Sequence, residues 1–242
     1  MKSLKLTAFI SCIVLLITPG CFQPNSTLYF AAKPDPGKLS KGSSDSLEKP
    51  GLDPSTTRSV DRYGKVIQKY SLKYEMDWRL VLAVMKQESR FRPQAKSHRG
   101  AYGLMQIMPT TAAELTEILG MPQAKNPYNN IKAGVYHLRR LYRFFEGARD
   151  PDRTKLALAA YNAGLTRILD ARELASYLGG NPNSWKSVQD AFPLLSNRFA
   201  TLHQRVWGDR GPRSGYFRNY QETTNYVESI MQHYDEYRLA LR

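Results

Sequence analysis

Apolar residues recur at three- and four-residue spacing from Val60 almost to the chain end, and this period confines the sequence to helices. Val60, Tyr63, Val66, Ile67 and Tyr70 form the first such stripe. A second helix is expected over residues 77–89. Thr111 followed by Glu114 reads as a capping box that opens a third. Asn126-Pro127 is an N-cap with proline at the first helical position. The helix it opens aligns Ile131, Val135, Leu138, Tyr142 and Phe145. Residues 155–163 are rich in Ala and Leu, with high helix propensity. Weaker helical segments follow over 165–178 and 185–194. The last helix carries Tyr226, Val227, Ile230, Tyr234, Tyr237 and Leu241. Residues 208–215 read as a loop. No alternating β-branched run is long enough for a sheet core, so the fold class is mainly α.

The amino-terminal residues follow different rules. Lys2 and Lys5 precede an apolar stretch over 6–17, and Thr18-Pro19-Gly20 ends it. This is the pattern of an export signal over residues 1–20. At about a dozen residues, the stretch falls short of the ~20 that span a bilayer. Cys12 lies within the signal. Cys21, the other of two cysteines, stands where lipoprotein signals are cut, and it is the candidate lipidation site. An ordinary signal peptide with an incidental thiol is the alternative. No disulfide can form in the processed chain, so packing must supply stability. Residues 21–58 scatter Pro24, Pro34, Pro36, Pro50 and Pro54 among polar residues and lack apolar periodicity. They are expected to be a flexible tether. Residues 59–242 form the folded domain.

Lys and Arg number 35 against 21 Asp and Glu, a formal net charge of +14. Such a balance points to nucleic acid, a membrane surface or an acidic polymer, or serves solubility alone. An exported protein rarely meets nucleic acid, which leaves wall polymer and lipid headgroups.

The second helix places Trp78, Val81, Leu82, Val84 and Met85 on an apolar face. Glu88 follows Val84 by four residues and Met85 by three, so it shares that face. A carboxyl group against apolar neighbours loses hydration and its pKa rises. A partly protonated carboxyl near neutrality suits a general acid. A glutamate snorkelling to water at a helix end is the bland alternative.

Around Glu88 stand recognisable strings. Gln87-Glu88-Ser89-Arg90-Phe91 is followed by Gly100-Ala101-Tyr102-Gly103-Leu104-Met105-Gln106-Ile107-Met108-Pro109. Ala159-Ala160-Tyr161-Asn162-Ala163-Gly164 and Glu222-Thr223-Thr224-Asn225-Tyr226-Val227 come later. In this order they resemble the motifs of the lytic transglycosylases, relatives of goose-type lysozyme. Leu169-Asp170-Ala171-Arg172, Gly180-Asn181-Pro182, Ser184-Trp185 and Pro193-Leu194-Leu195-Ser196 are similar to the catalytic domain of the F-type, membrane-bound branch. The resemblance runs from about Val60 to Tyr234. In that branch a large solute-binding-like domain precedes the catalytic one, whereas here the short tether does.

The resemblance implies a lysozyme-like helical domain with a substrate groove, and a mechanism. Glu88 matches the catalytic glutamate, which protonates the bond between N-acetylmuramic acid and N-acetylglucosamine. It then takes the proton of the muramoyl C6 hydroxyl as a 1,6-anhydro ring closes. Assistance by the substrate's N-acetyl group would replace the usual second carboxylate. No Asp follows Glu88 until Asp150, and Glu114 is assigned as a cap. Ser97 matches a serine near the acetamido group. Met105 and Gln106 match the segment lining the groove, although Met is more often core filler. Tyr161 and Asn162 match a pair facing the glutamate, with Tyr161 the candidate to steer its proton. Tyr226 matches the tyrosine of the last motif, with core packing as the equal alternative, and Glu222 opens that motif. Ser89 is expected to orient the helix end.

His98, His137, His203 and His233 show no metal-ligand spacing, and neither an HExxH string nor a G-x-S-x-G elbow occurs. No cofactor is implied. The expected partners are peptidoglycan strands and, through a Cys21 lipid, a membrane, with no nucleic acid. Phe22 is not the aspartate associated with inner-membrane retention, so the periplasmic face of the outer membrane is expected. A hydrolytic muramidase and an inactive wall-binding lipoprotein are the alternative readings.

Overall fold

The computed structural model describes residues 51–241. The signal segment, Cys21 and the tether up to residue 50 lie outside the described residues. Helix α1 spans Pro54–Lys73. Asp53 caps it, accepting from the backbone N–H groups of Ser55 at 3.0 Å and Thr56 at 3.2 Å. Proline at the first helical position needs no partner for its nitrogen. The domain therefore begins before residue 59, and residues 54–58 are helix rather than tether. Apolar periodicity missed this turn because its inward residues, Thr56 and Ser59, are polar and yet buried. Thr56 Oγ1 lies 3.1 Å from the Tyr237 hydroxyl.

Helix α2, Trp78–Ser89, is capped by Asp77, which accepts from the Arg79 N–H at 2.9 Å. Leu80, Val81, Leu82, Ala83, Val84 and Met85 are all buried. A helix apolar on every side lies in the interior. Burying each of its larger side chains contributes about 2 kcal/mol relative to exposure. Helix α3 spans Pro109–Ile118 and α4 spans Pro127–Phe144. The capping box expected at Thr111 is absent. The helix starts two residues earlier, at Pro109, with no side-chain cap, and Glu114 binds Arg140 instead. Asn126 does cap α4, accepting from Tyr128 N–H at 2.9 Å.

Helices α5 (Asp152–Ala163), α6 (Leu165–Tyr177), α7 (Trp185–Ala191), α8 (Ala200–Trp207) and α9 (Tyr220–Ala240) complete the described helices. Short 3₁₀ turns at Pro193–Leu195, Asn197–Phe199 and Gly208–Arg210 flank α8. Among the described residues the extended pairing is limited to two isolated bridges, Lys96 with Tyr102 and Tyr102 with Ile107. The five long packing partners form a closed ring: α1 meets α2, α2 meets α9, α9 meets α5, α5 meets α4, and α4 returns to α1. Helix α9 closes the ring from the far end of the chain. The loop over 208–215 is pinned to α6 by Asp170, which is fully buried. Asp170 accepts from Ser214 N–H at 2.8 Å and from Arg213 Nε at 3.2 Å.

Asp53 also receives Lys86 Nζ at 3.0 Å, joining the start of α1 to the last turn of α2. Partial burial raises the Asp53 pKa, but hydrogen bonds from Ser55, Thr56 and Lys86 outweigh it and hold the carboxyl well below the usual range. Asp53→Ala is expected to lower stability by about 1 kcal/mol at neutral pH. Because the folded pKa is depressed, the contribution is present above the unfolded value of about 3.9 and fades as pH falls below it. Urea unfolding of both proteins at neutral and strongly acid pH checks this: the difference should shrink in acid.

Candidate active site

Glu88 occupies the last turn of α2, immediately after its buried core residues. The backbone then turns left-handed at Arg90 (φ 49°) and Phe91 (φ 60°). L-residues adopt this region at a cost of about 1–2 kcal/mol each. Gln106 (φ 45°) adds a third, so among the described residues three of the four non-glycine residues of this kind lie in the loop after Glu88. Strain concentrated there requires an over-determined scaffold.

Asn130, buried on α4, supplies much of it. Its Oδ1 accepts from Met105 N–H at 2.8 Å, and its Nδ2 donates to the Tyr102 carbonyl at 3.0 Å. A Cβ at Gly103 (φ 84°) would stand 2.6 Å from the Asn130 amide, so the position demands glycine for space and for backbone angle. Tyr102 and Ile107 exchange backbone hydrogen bonds of 3.1 Å. The Ser89 hydroxyl lies 2.9 Å from the Leu104 carbonyl and 3.1 Å from the Met85 carbonyl, tying the end of α2 to the loop.

Tyr226, from the facing helix α9, donates its hydroxyl hydrogen to Glu88 Oε1 at 2.5 Å. Tyr226 is itself buried, so it packs the core and at the same time reaches the carboxyl, a contact not read from the sequence. Glu88 stays partly exposed, as a group that must meet substrate has to be. Desolvation by the surrounding protein pushes its pKa up to about 7, against the opposing pull of the Tyr226 hydrogen bond. Burial, then the nearby Glu88 charge, holds the Tyr226 and Tyr161 phenols well above their ordinary pKa. Both remain donors at any physiological pH.

Tyr161 does not steer Glu88 directly. Its hydroxyl donates to the Met105 carbonyl at 2.7 Å, because that strained loop carbonyl lies in reach and Tyr226 already holds the carboxyl. His137 on α4 lies against the Tyr161 ring, 5.2 Å between centroids. Burial, then Arg140, lowers the His137 pKa to about 4, so the imidazole is neutral. The Met105 side chain is fully buried over Gly134, where an added Cβ would stand 2.5 Å away. Its side chain is core filler and lines no groove. Gln106 gives its amide hydrogens to the Ala95 carbonyl at 3.0 Å and the Gly103 carbonyl at 2.9 Å, leaving its oxygen for other partners. Asn162 Oδ1 accepts from the Thr223 hydroxyl at 2.7 Å, linking α5 to α9. Ser97 Oγ accepts from Ala101 N–H at 3.0 Å within a tight turn. Glu222 is exposed in the first turn of α9.

Asn130, His137 and Thr223 were not singled out from sequence. Asn130 sits among apolar residues at the start of the α4 stripe, a signal for a buried polar anchor. Nothing in the spacing marks His137. Among the described residues no group of three His, Cys, Asp or Glu side chains is placed to hold a metal.

Residues 65–183 match the family model described as the transglycosylase SLT domain. The membrane-bound lytic murein transglycosylase F of Desulfosudis oleivorans is 38% identical over 178 residues, 73% of this chain and 36% of that one. The protein of the same name from Vibrio parahaemolyticus is 37% identical over 176 residues, 72% of this chain and 31% of that one. The chain thus spans about a third of the length of these curated relatives. Among solved structures, the 70 kDa soluble lytic transglycosylase SLT70 from Escherichia coli aligns with a TM-score of 0.51 at 26% identity, covering 77% of this chain and 26% of that one. Tyr226, the partner of Glu88, lies beyond the residues that the family model matches.

The raised Glu88 pKa has a stability consequence. Its folded pKa of about 7 exceeds the unfolded value of about 4.3, so the folded state binds the extra proton and loses stability as pH rises between the two. Glu88→Gln is expected to be more stable than the parent by roughly 3 to 4 kcal/mol at pH 8 and about equal at pH 4. Paired denaturant titrations at the two pH values test this. Equal differences at both would place the Glu88 carboxyl in ordinary solvent.

Proposed function

We propose that this chain, whose helical domain belongs to the transglycosylase SLT family, cleaves the β-1,4 bond between N-acetylmuramic acid and N-acetylglucosamine in peptidoglycan without water. The observation that carries the reading is the single Glu88 carboxyl, poised near pH 7 and held by a phenol that does not ionise.

Protonated Glu88 donates its hydrogen to the glycosidic oxygen, and the bond from that oxygen to muramoyl C1 breaks. The N-acetyl carbonyl of the same sugar supports the developing positive charge at C1. The C6 hydroxyl oxygen then bonds to C1, and its proton passes to the Glu88 carboxylate. The 1,6-anhydro ring closes and Glu88 regains its starting state. One acid/base suffices because the nucleophile belongs to the substrate. Tyr226 keeps one carboxyl oxygen fixed, so the other faces the sugar. Tyr161 acts through the Met105 carbonyl, holding the loop beneath the bound strand. Ser97 and the Gln106 oxygen are suited to the acetamido and hydroxyl groups of the sugars. Asn162 and Glu222 stabilise the facing ends of α5 and α9. Burial of its side chain leaves Met105 to act through its backbone alone.

The setting follows from the same reading. A lipid on Cys21 anchors the chain to the periplasmic side of an envelope membrane, with the outer membrane favoured. Residues 21–52 give the domain reach to the wall. The relatives' names, which call them membrane-bound, support this placement.

Mass spectrometry of digested peptidoglycan tests the chemistry. Anhydromuramoyl ends are the expected product. Reducing muramic acid ends would assign hydrolysis by water instead. Glu88→Gln should fold and lower turnover by about 10³-fold or more. Tyr226→Phe should reduce turnover about tenfold and move the alkaline limb of the pH–rate profile upward, because its hydrogen bond lowers the Glu88 pKa. A downward or absent shift contradicts the role given to Tyr226.

A further inference from the structure

Helix α1 carries a second organised surface. Arg58, Arg62, Lys65, Lys69 and Lys73 recur at spacings of four, three, four and four. At 100° per residue they fall within an arc of about 80°, and they extend about 22 Å along the helix. All five are exposed. The opposite face, with Thr56, Ser59, Tyr63, Ile67 and Ser71, is buried. Asp61 is the helix's one acid. Among the described residues none of the five cations is paired with a carboxylate.

The stripe is interleaved with tyrosine. Arg62 lies over the Tyr63 ring at 5.3 Å, Lys69 over Tyr70 at 5.6 Å, and Lys73 over Tyr74 at 5.6 Å. Half-exposed Tyr128 packs edge-on against Tyr63, and Leu72 is exposed at the end of the stripe. There the stripe runs into a cavity of about 220 Å³ between α1 and α4, lined by four cations (Lys73, Arg139, Arg140, Arg143), two tyrosines (Tyr74, Tyr136) and one carboxylate, Glu75. Glu75 pairs with Arg139, and Glu114 with Arg140. Lys73 and Arg143 have no carboxylate partner among the described residues. The buried Tyr74 hydroxyl has no hydrogen-bond partner there either. A phenol donor and two uncommitted cations match a phosphate oxygen cluster.

The cavity and the catalytic carboxyl stand at different ends of α2. The cavity is lined by Lys73, Tyr74 and Glu75, just before α2 begins at Trp78. Glu88 lies ten residues further on, about 15 Å along the helix. A phosphate in the cavity and a glycan strand at Glu88 therefore do not compete for the same groups.

We propose that the α1 stripe and its cavity are a docking surface for an anionic phospholipid bilayer, with one phosphate headgroup seated among Lys73, Tyr74 and Arg143. The geometry is that of a helix lying in the headgroup plane: a straight, convex row of cations suits a flat charged surface. Tyrosines beside the cations suit the boundary between water and lipid. The inference concerns this surface alone and does not depend on the reaction assigned to Glu88.

The test uses the full chain with Cys21→Ser, so that no attached lipid dominates binding. Co-sedimentation compares phosphatidylcholine vesicles with vesicles containing roughly one third phosphatidylglycerol. Wild-type α1 should favour the anionic vesicles by at least about tenfold at low salt, with the preference falling as salt rises. Arg62→Glu/Lys65→Glu/Lys69→Glu should abolish the preference, and the corresponding triple Gln variant should reduce it, both keeping the parent's circular dichroism and cleavage of soluble glycan. Lys73→Ala/Arg143→Ala should weaken it severalfold. Equal binding to both vesicle types overturns the proposal, as does an undiminished preference in the triple Glu variant. Reversal that weakens binding to purified sacculi while sparing vesicles also overturns it, since the stripe would then serve the wall polymer.

Discussion

A carboxyl group that is half out of water but still reachable is an unstable arrangement, and the hydrogen bond from Tyr226 to Glu88 is what makes it persist. The bond joins two helices more than a hundred residues apart in the chain. It exists only because α9 returns to close the ring begun by α1 and α2. Desolvation alone would push the acid too high to release its proton readily, and the phenol draws it back toward neutrality. Since the phenol's own ionisation is suppressed by burial and by the Glu88 charge, the donor does not switch off when the acid titrates.

The second constraint is the loop after α2. Its left-handed residues store strain that an isolated segment would release. Asn130 from α4, Tyr161 from α5 and Ser89 from α2 each hold a backbone group of the Gly103–Gln106 turn. Gly134 and Gly103 leave room for the contacts that no larger residue would permit. Three core helices thus converge on one turn beside the acid. The rigid interior of α2, apolar on every side, transmits this order to Glu88 at its end.

Much of this was legible before the structure. The helical period located the long helices, and the Glu88 face followed from the spacing of Val84 and Met85. What the period could not reach were polar residues used as core. Thr56 and Ser59 hid the first turn of α1, although Asp53-Pro54 carries the same cap-and-proline signal that correctly marked α4. Glu114 fitted a capping pattern, yet a longer-range partner, Arg140, claimed it. The choice between Tyr161 and Tyr226 was equally beyond a one-dimensional reading. Both are phenols near the acid, and only the crossing of α5, α9 and the loop decides which hydroxyl finds the carboxylate and which finds the Met105 carbonyl.

Direct titration of the Glu88 side-chain carboxyl carbon by ¹³C NMR bears most closely on the central claim. With the domain folded and no substrate present, its chemical shift should move with a midpoint near pH 7. A midpoint close to the ordinary glutamate value of about 4.3 would mean a solvated carboxylate unable to serve as the acid, and would contradict the account.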